Sequence, residues 1–431
     1  MRAGGRDAQR QRLHARAGRA RAAAVMVRLH GGGFAAGSPV SPWYDGRSFS
    51  RDGVVVVTVS YRLGFHGFGW IEDAPVNRGV LDQIAALEWV RDNIAAFGGD
   101  PGAVTLAGQS AGGISVMTLF TAPRAQSLSR AAICMSGADR VQSRESAEER
   151  GRALAASAGV EPTTAGWSAL TEEQALDAQD AFGIRTPPAT IDPAAFIRGA
   201  LMPPEDHGMP FGPVVDGELL PRSVSDALAE GVAADKRLLI GVTGHEFTLW
   251  MLHAEEQLRG VDIAGAMTEA GLPPELAAEY VASHPEPRRR PRSSATSPAC
   301  APSARRQALR WSRLRAATNA DTTWLYDFRW PSPFYGDLAV HCVELPFVRD
   351  LLDADGVSRA HGPNPPRELA TRAHAAWVSF VTEGTPGWQP WARGVGMVFN
   401  ETSEEKPLLE LEGRLARAAH AAWQDTPAPA A

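Results

Sequence analysis

Gly108-Gln109-Ser110-Ala111-Gly112 matches the pattern G-x-S-x-G. A serine hydroxyl is a weak nucleophile until a base takes its proton and a turn exposes its oxygen. The flanking residues supply such a turn: residues 104–107 (VTLA) read as a short strand, and a helix runs on from the serine to about Phe120. At a strand-to-helix elbow the glycines are needed because the backbones come too close for side chains. The following helix aims its positive end at charge developing on a bound carbonyl. His30-Gly31-Gly32-Gly33 closes an earlier apolar run. Glycines there let backbone N–H groups reach a carbonyl oxygen, so Gly32, Gly33 and Ala111 are the candidate oxyanion-hole donors. A plain glycine turn is the bland alternative.

The nucleophile needs a base, and the base an acid that orients it; with this kind of elbow the chain order is serine, acid, histidine. His341 stands in GDLAVHCVELPF, on a loop after the late strand TWLYDF. It is favoured over His361 in a Pro/Gly loop, His374 in a helix and His420 in a terminal helix. Glu246, in GVTGHEF after the strand RLLIGV, is well placed for the acid, and Asp216 in PVVDGELL is its rival. His245 competes by residue type but not by order. Together these residues point to acyl transfer onto Ser110 and then to water. Hydrolysis needs only water, so no cofactor is implied, and no His, Cys, Asp or Glu cluster has metal-ligand spacing.

These residues are held by a regular alternation. Residues 24–30 and 53–61 are nearly pure apolar runs, the signature of strands covered on both faces. Residues 81–97 repeat apolar positions at helical spacing and stop at Gly98-Gly99 and Pro101. Residues 131–137, 237–243 and 323–328 read as further buried strands, and 366–383 as a late helix. The pattern predicts an α/β fold: a mostly parallel sheet with helices on both faces. The segment 144–210 looks helical and loop-rich, an insertion over the carboxyl edge of the sheet, where ligands bind in such folds. Two stretches stand apart. Residues 1–23 are an atypical Arg/Ala-rich segment; residues 284–315 hold nine arginines and one acid without a clear period, and read as a basic loop.

Bulk properties exclude several classes. The 431 residues are 44% hydrophobic and 21% charged, with a net charge of −6, an ordinary globular balance with no basic excess for nucleic acid or anionic membrane. No apolar run is long enough to span a bilayer, and residues 22–27 are too short for a signal peptide. Cys134, Cys300 and Cys342 cannot all pair within one chain and read as idle thiols of a reducing compartment, hence a cytoplasmic location. A small-molecule ester is the expected partner.

The chain resembles the type B carboxylesterase family, which includes cholinesterases and bacterial p-nitrobenzyl esterases. The segments that carry the resemblance are VMVRLHGGGF, VVTVSYRLGFHGF, NRGVLDQIAALEWVRDNIAAFGGDP, VTLAGQSAGG, FGPVVDGELLP, LLIGVTGHEFTLW and GDLAVHCVELPFV. They run in order from about residue 24 to 283 and from 322 to 400. The resemblance implies one α/β-hydrolase domain over 24–425 and a triad of Ser110, Glu246 and His341, and so favours Glu246 over Asp216. It also implies the oxyanion hole at Gly32, Gly33 and Ala111. The family usually has Glu where Gln109 stands, an acid where His245 stands and Gly where Phe247 stands, which predicts weaker binding of cationic substrates and an altered local turn. Members normally carry about a hundred further residues before the HGGG strand. Their opening strands would thus be lacking, leaving sheet edges exposed, and both odd stretches have the composition of GC-rich coding sequence read out of frame. Some relatives keep this fold for adhesion, so a non-catalytic binding module is the competing reading; those relatives lose the nucleophile, which this chain keeps.

Overall fold

The computed structural model describes residues 11–13, 22–183, 192–195, 210–246, 260–283, 302–408 and 410–423. The chain divides into two compact units. The first comprises Met1–Thr186, Glu205–Leu238 and Val378–Thr385. The second comprises Pro187–Pro204, Leu239–Trp377 and Pro386–Ala431.

In the first unit the strands are β1 (Gln11–Leu13), β2 (Ala23–Leu29), β3 (Val55–Val59), β4 (Gly99–Gln109) and β5 (Ala131–Met135). They lie in the order β1-β3-β2-β4-β5. β2 pairs in parallel with β3 (Val27 opposite Val57) and with β4 (Val27 opposite Leu106), and β4 pairs in parallel with β5. Central parallel strands are covered on both faces, which is why every residue of β3 and β5 is buried and apolar but for Thr58. The backbone of β1, inside the Arg-rich segment, pairs antiparallel with β3 along Val56–Thr58. That strand was not legible in the sequence, and it covers part of an edge expected to be open.

The Arg78–Asn93 helix buries Val80, Ile84, Leu87 and Val90, one stripe at helical spacing. It continues as a 3-10 turn, Ile94–Phe97, and stops at Gly98, whose φ of 78° is the left-handed cap seen at many helix ends. The Ala111–Thr121 helix is buried on every side, as a helix sandwiched in a core must be. Within the expected insertion, Arg144–Ser157, Thr164–Ser168 and Glu172–Gly183 are helical. The last two dock on the short Gly64–Phe68 helix after β3: Trp167 packs on Phe65 at 3.8 Å between ring centroids, and Gln179 Oε1 accepts the Phe65 N–H at 2.9 Å. Residues 184–191 and 196–209 of the insertion lie outside the described residues.

The second unit holds residues 239–243 of β8 (Arg237–Thr243), then β9 (Thr323–Phe328), β10 (Val395–Phe399) and β11 (Glu404–Pro407), adjacent in that order. β10 runs parallel to β9 and antiparallel to β11. The short pair β6 (Gln142–Ser143) and β7 (Val214–Val215) belongs to the first unit.

The expectation of a basic loop over 284–315 is corrected in part. Pro302–Thr318 is a helix, with Ala304, Arg305, Ala308, Trp311, Ser312 and Arg315 buried along one face. Buried arginines persist when paired, and these two are. Arg305 grips Asp327 of β9 through two hydrogen bonds of 2.9 and 2.8 Å, and Arg315 donates to the hydroxyls of Thr323 and Thr322. Residues 284–301 lie outside the described residues. Among the described residues no helix is long and apolar enough to cross a membrane, and no group of three potential ligands could hold a metal.

Candidate active site

β4 ends at Gln109 and the next helix starts at Ala111, so Ser110 alone makes the turn. Its backbone sits at φ 59°, ψ −127°, a region that costs a non-glycine residue of order 1–3 kcal/mol and is found where surroundings over-determine it. The surroundings here are the two motif glycines. A Cβ on Gly108 would lie 2.2 Å from the Gly112 carbonyl oxygen, and one on Gly112 would lie 2.3 Å from that of Leu29. The Ser110 N–H donates to Met135 O at 2.9 Å, tying the elbow to the end of β5.

The HGGG loop is docked directly on this elbow. A Cβ on Gly31 would meet Gln109 O at 2.6 Å, and Gly32 holds a φ of 116°. Among the described residues none accepts the backbone N–H of Gly32, Gly33 or Ala111. For Ala111 this follows from its place: the first N–H groups of a helix have no intrahelical acceptor. His30 is buried and neutral in character, its pKa lowered by burial and by Arg28 against the opposing pull of the Gly31 carbonyl.

In the second unit the loops after β8 and β9 are latched together. The His341 Nδ1–H donates to Glu246 Oε2 at 2.6 Å, and Glu246 is fully buried. The other carboxylate oxygen accepts the Thr243 N–H at 2.8 Å, and the His341 N–H donates to Glu246 O at 2.9 Å. Glu246 sits at φ 21°, outside the ordinary helical and extended regions. Burial is the largest influence on His341 and disfavours its charged form. The adjoining Cys342 and the Glu246 carboxylate outweigh burial and hold the imidazole well above its ordinary range.

The rival residues make other contacts. His245 binds the Ala339 backbone twice, donating its N–H to Ala339 O at 2.8 Å and accepting the Ala339 N–H on Nδ1 at 3.0 Å. It thereby fixes the loop that carries His341. Asp216 organises a turn, accepting from the N–H groups of Glu218 and Leu220 and from Asn77. His361 is held by the carbonyls of Val343 and Val357, and His374 lies against Val348 O. His420 lies in the Glu410–Trp423 helix. The departure noted at Phe247 falls outside the described residues.

Ser110, Gly32, Gly33 and Ala111 are thus brought together in the first unit, and Glu246 and His341 in the second. Thr243, which fixes the Glu246 carboxylate, was not found from the sequence; it acts through its backbone N–H, which leaves no mark on residue type. A buried carboxyl, Glu344, was also missed. Neither of its oxygens has a hydrogen-bond partner among the described residues, and burial, then the charge on Glu246, pushes its pKa up to about 8.

Comparison with known proteins bears on what this geometry is for. Residues 14–421 match the model of a family described as the carboxylesterase family. The chain is 32% identical over 408 residues to a para-nitrobenzyl esterase of Bacillus subtilis (strain 168), covering 90% of this chain and 76% of that protein. It is 36% identical over 233 residues to liver carboxylesterase 1 of Oryctolagus cuniculus, covering 52% and 39% of the two chains. Among solved structures, a PNB esterase matches with a TM-score of 0.74 at 30% identity, over 93% of this chain and 81% of that one. A carboxylesterase of Geobacillus stearothermophilus matches with a TM-score of 0.73 at 31% identity, over 92% and 82%.

Proposed function

We propose that this chain, a carboxylic-ester hydrolase that belongs to the carboxylesterase family with an α/β-hydrolase fold, works through an acyl-enzyme on Ser110. In this reading His341 takes the Ser110 proton as the oxygen attacks the ester carbonyl. The N–H groups of Gly32, Gly33 and Ala111 hold the oxyanion. The tetrahedral intermediate collapses, His341 protonates the departing alcohol, and water repeats the cycle to release the carboxylic acid. Glu246 keeps Nδ1 protonated, so Nε2 is the basic nitrogen, and stabilises the imidazolium.

The observation that carries the proposal is the strained backbone of Ser110 at the turn between β4 and its helix. Such strain persists only where the rest of the fold enforces it, and it serves to present one hydroxyl. Replacing Ser110 by Ala should lower kcat on the order of 10⁶-fold if serine, histidine and acid act as a unit. Turnover near that of the unsubstituted enzyme would sink the assignment.

Two finer points belong to the same proposal. Gln109 leaves no carboxylate beside the nucleophile, which favours esters of neutral alcohols over cationic ones. The thiol of Cys134, buried in β5 with its pKa pushed up by burial to about 12, suits a reducing cytoplasm. The family match over 14–421 supports one functional domain across 24–425.

A further inference from the structure

The oxyanion donors are backbone groups, so something must fix the peptide that carries them. The Tyr61 hydroxyl donates to the carbonyl of His30, the residue before Gly31, at 2.6 Å and in a buried setting. The same phenol ring stacks on the His30 imidazole, with centroids 4.4 Å apart and planes 17° from parallel. The His30 carbonyl oxygen lies on the elbow helix, only 2.9 Å from where a Gly112 Cβ would be. It is therefore wedged between Tyr61 and the helix that follows Ser110.

The hydroxyl is itself oriented. Gln83 Nε2 donates to Ser115 Oγ at 3.0 Å, and the Ser115 hydroxyl lies close enough to the phenol to stabilise its charged form, against the larger upward push of burial on the Tyr61 pKa. Gln83 and Ser115 are fully buried, in the Arg78–Asn93 helix and the elbow helix respectively. Tyr61 spends its one proton on His30 O, so towards Ser115 its oxygen can only accept. Gln83 donates to Ser115 and Tyr61 to His30 O, which leaves the Ser115 hydroxyl as the group able to donate to Tyr61. Each donor that also accepts is polarised to donate better, and buried networks of this kind hold a single geometry.

We propose that Tyr61, oriented by Ser115 and Gln83, is a positioning residue that sets the oxyanion-hole peptides of Gly32 and Gly33 against the Ser110 elbow. This rests on the assignment of Ser110 and the oxyanion hole above. Tyr61 does not touch the substrate; it acts through the His30 peptide, and displacements of a few tenths of an ångström there matter in the transition state more than in the ground state.

The test is Tyr61→Phe, which removes one oxygen and keeps the ring stack, assayed on p-nitrophenyl acetate. We expect kcat to fall roughly tenfold with KM within about twofold, since the affected contacts are made in the transition state. A trifluoromethyl ketone, whose serine adduct mimics the oxyanion, should bind more weakly by the same factor. The midpoint of the pH profile, set by His341, should not move. Ser115→Ala should act in the same sense, and the double variant should be no worse than Tyr61→Phe alone, because Ser115 works through Tyr61. Unchanged kcat and ketone affinity in folded Tyr61→Phe, with a loss of thermal stability alone, would overturn the proposal. Should that variant fail to fold, Ser115→Ala decides by the same two readouts. Fluorophosphonate labelling of the unsubstituted protein separates the layers. Labelled Ser110 beside an indifferent Tyr61→Phe removes only this inference; no label on Ser110 removes the reading beneath it as well.

Discussion

Glu246 holds His341 from both sides of its own residue: Oε2 takes the Nδ1–H at 2.6 Å, and its backbone carbonyl takes the His341 N–H at 2.9 Å. The acid thus fixes where the ring sits and which nitrogen carries the proton. Glu246→Gln should leave the backbone bond in place and lower kcat roughly 10⁴-fold, the scale seen when an orienting carboxylate becomes an amide. Steady-state kinetics on a p-nitrophenyl ester would check this; a loss under tenfold would mean that Glu246 does not orient the base.

The pH dependence follows from the same pair. In the proposed mechanism His341 is the general base, which works only unprotonated, so activity should fall as pH drops through its pKa. That pKa lies above its ordinary value of 6.5. The acid limb of kcat/KM should therefore have its midpoint above pH 6.5, and should move to lower pH in Glu246→Gln, where the carboxylate that stabilises the cation is gone. A limb below 6.5 in the unsubstituted enzyme would contradict this electrostatic account.

Glu344 makes stability pH-dependent in the opposite sense from most carboxylates. Its folded pKa, about 8, lies above the ordinary 4.5. The native state therefore holds a proton that the unfolded chain releases between those values. Stability from this group is fully present below pH 4.5 and is lost as pH rises through 8. Glu344→Gln, which keeps the shape and the neutral state, should flatten the decline in Tm across that window. An unchanged slope would show that Glu344 is not the titrating group.

The Arg305–Asp327 pair is buried on both sides. Burial alone would raise the Asp327 pKa; Arg305 and Arg329 outweigh it and hold it at about 2. Arg305→Met strands part of a buried charge and should cost about 3–5 kcal/mol, measured by urea unfolding at neutral pH. The contribution of Asp327 is present above its ordinary value of 3.8 and is lost as pH falls towards 2. A cost below about 1 kcal/mol would mean the 302–318 helix is not anchored as described.

Much of this fold is written in local pattern. β2, β3, β5, β8 and β9 are legible because strands covered on both faces must be apolar throughout, and the 78–97 and 367–383 helices because one stripe repeats at helical spacing. β10 was not read: Gly396 interrupts its alternation, and a lone strand of five residues has no second signal. The 302–318 helix was hidden because its inward stripe includes Arg305 and Arg315, which look like solvent residues until Asp327 and Thr323 are placed opposite them. Ser110, the HGGG loop, Glu246 and His341 were legible as residue types at strand ends. The polar chain from Gln83 to Tyr61 was not, since its members lie in three elements and share no spacing. One trace existed: Tyr61, a polar-tipped residue two places after β3, in a chain with only five tyrosines.

The central claim, that Ser110 is an activated nucleophile, is tested most directly by intact mass after exposure to a small fluorophosphonate, with the modified peptide mapped. Attack by an activated serine displaces fluoride and leaves a stable phosphonyl ester. The account predicts one adduct per chain, on Ser110, abolished in Ser110→Ala and strongly slowed in Glu246→Gln. A folded protein that stays unmodified, or that carries its adduct on another residue, would contradict it.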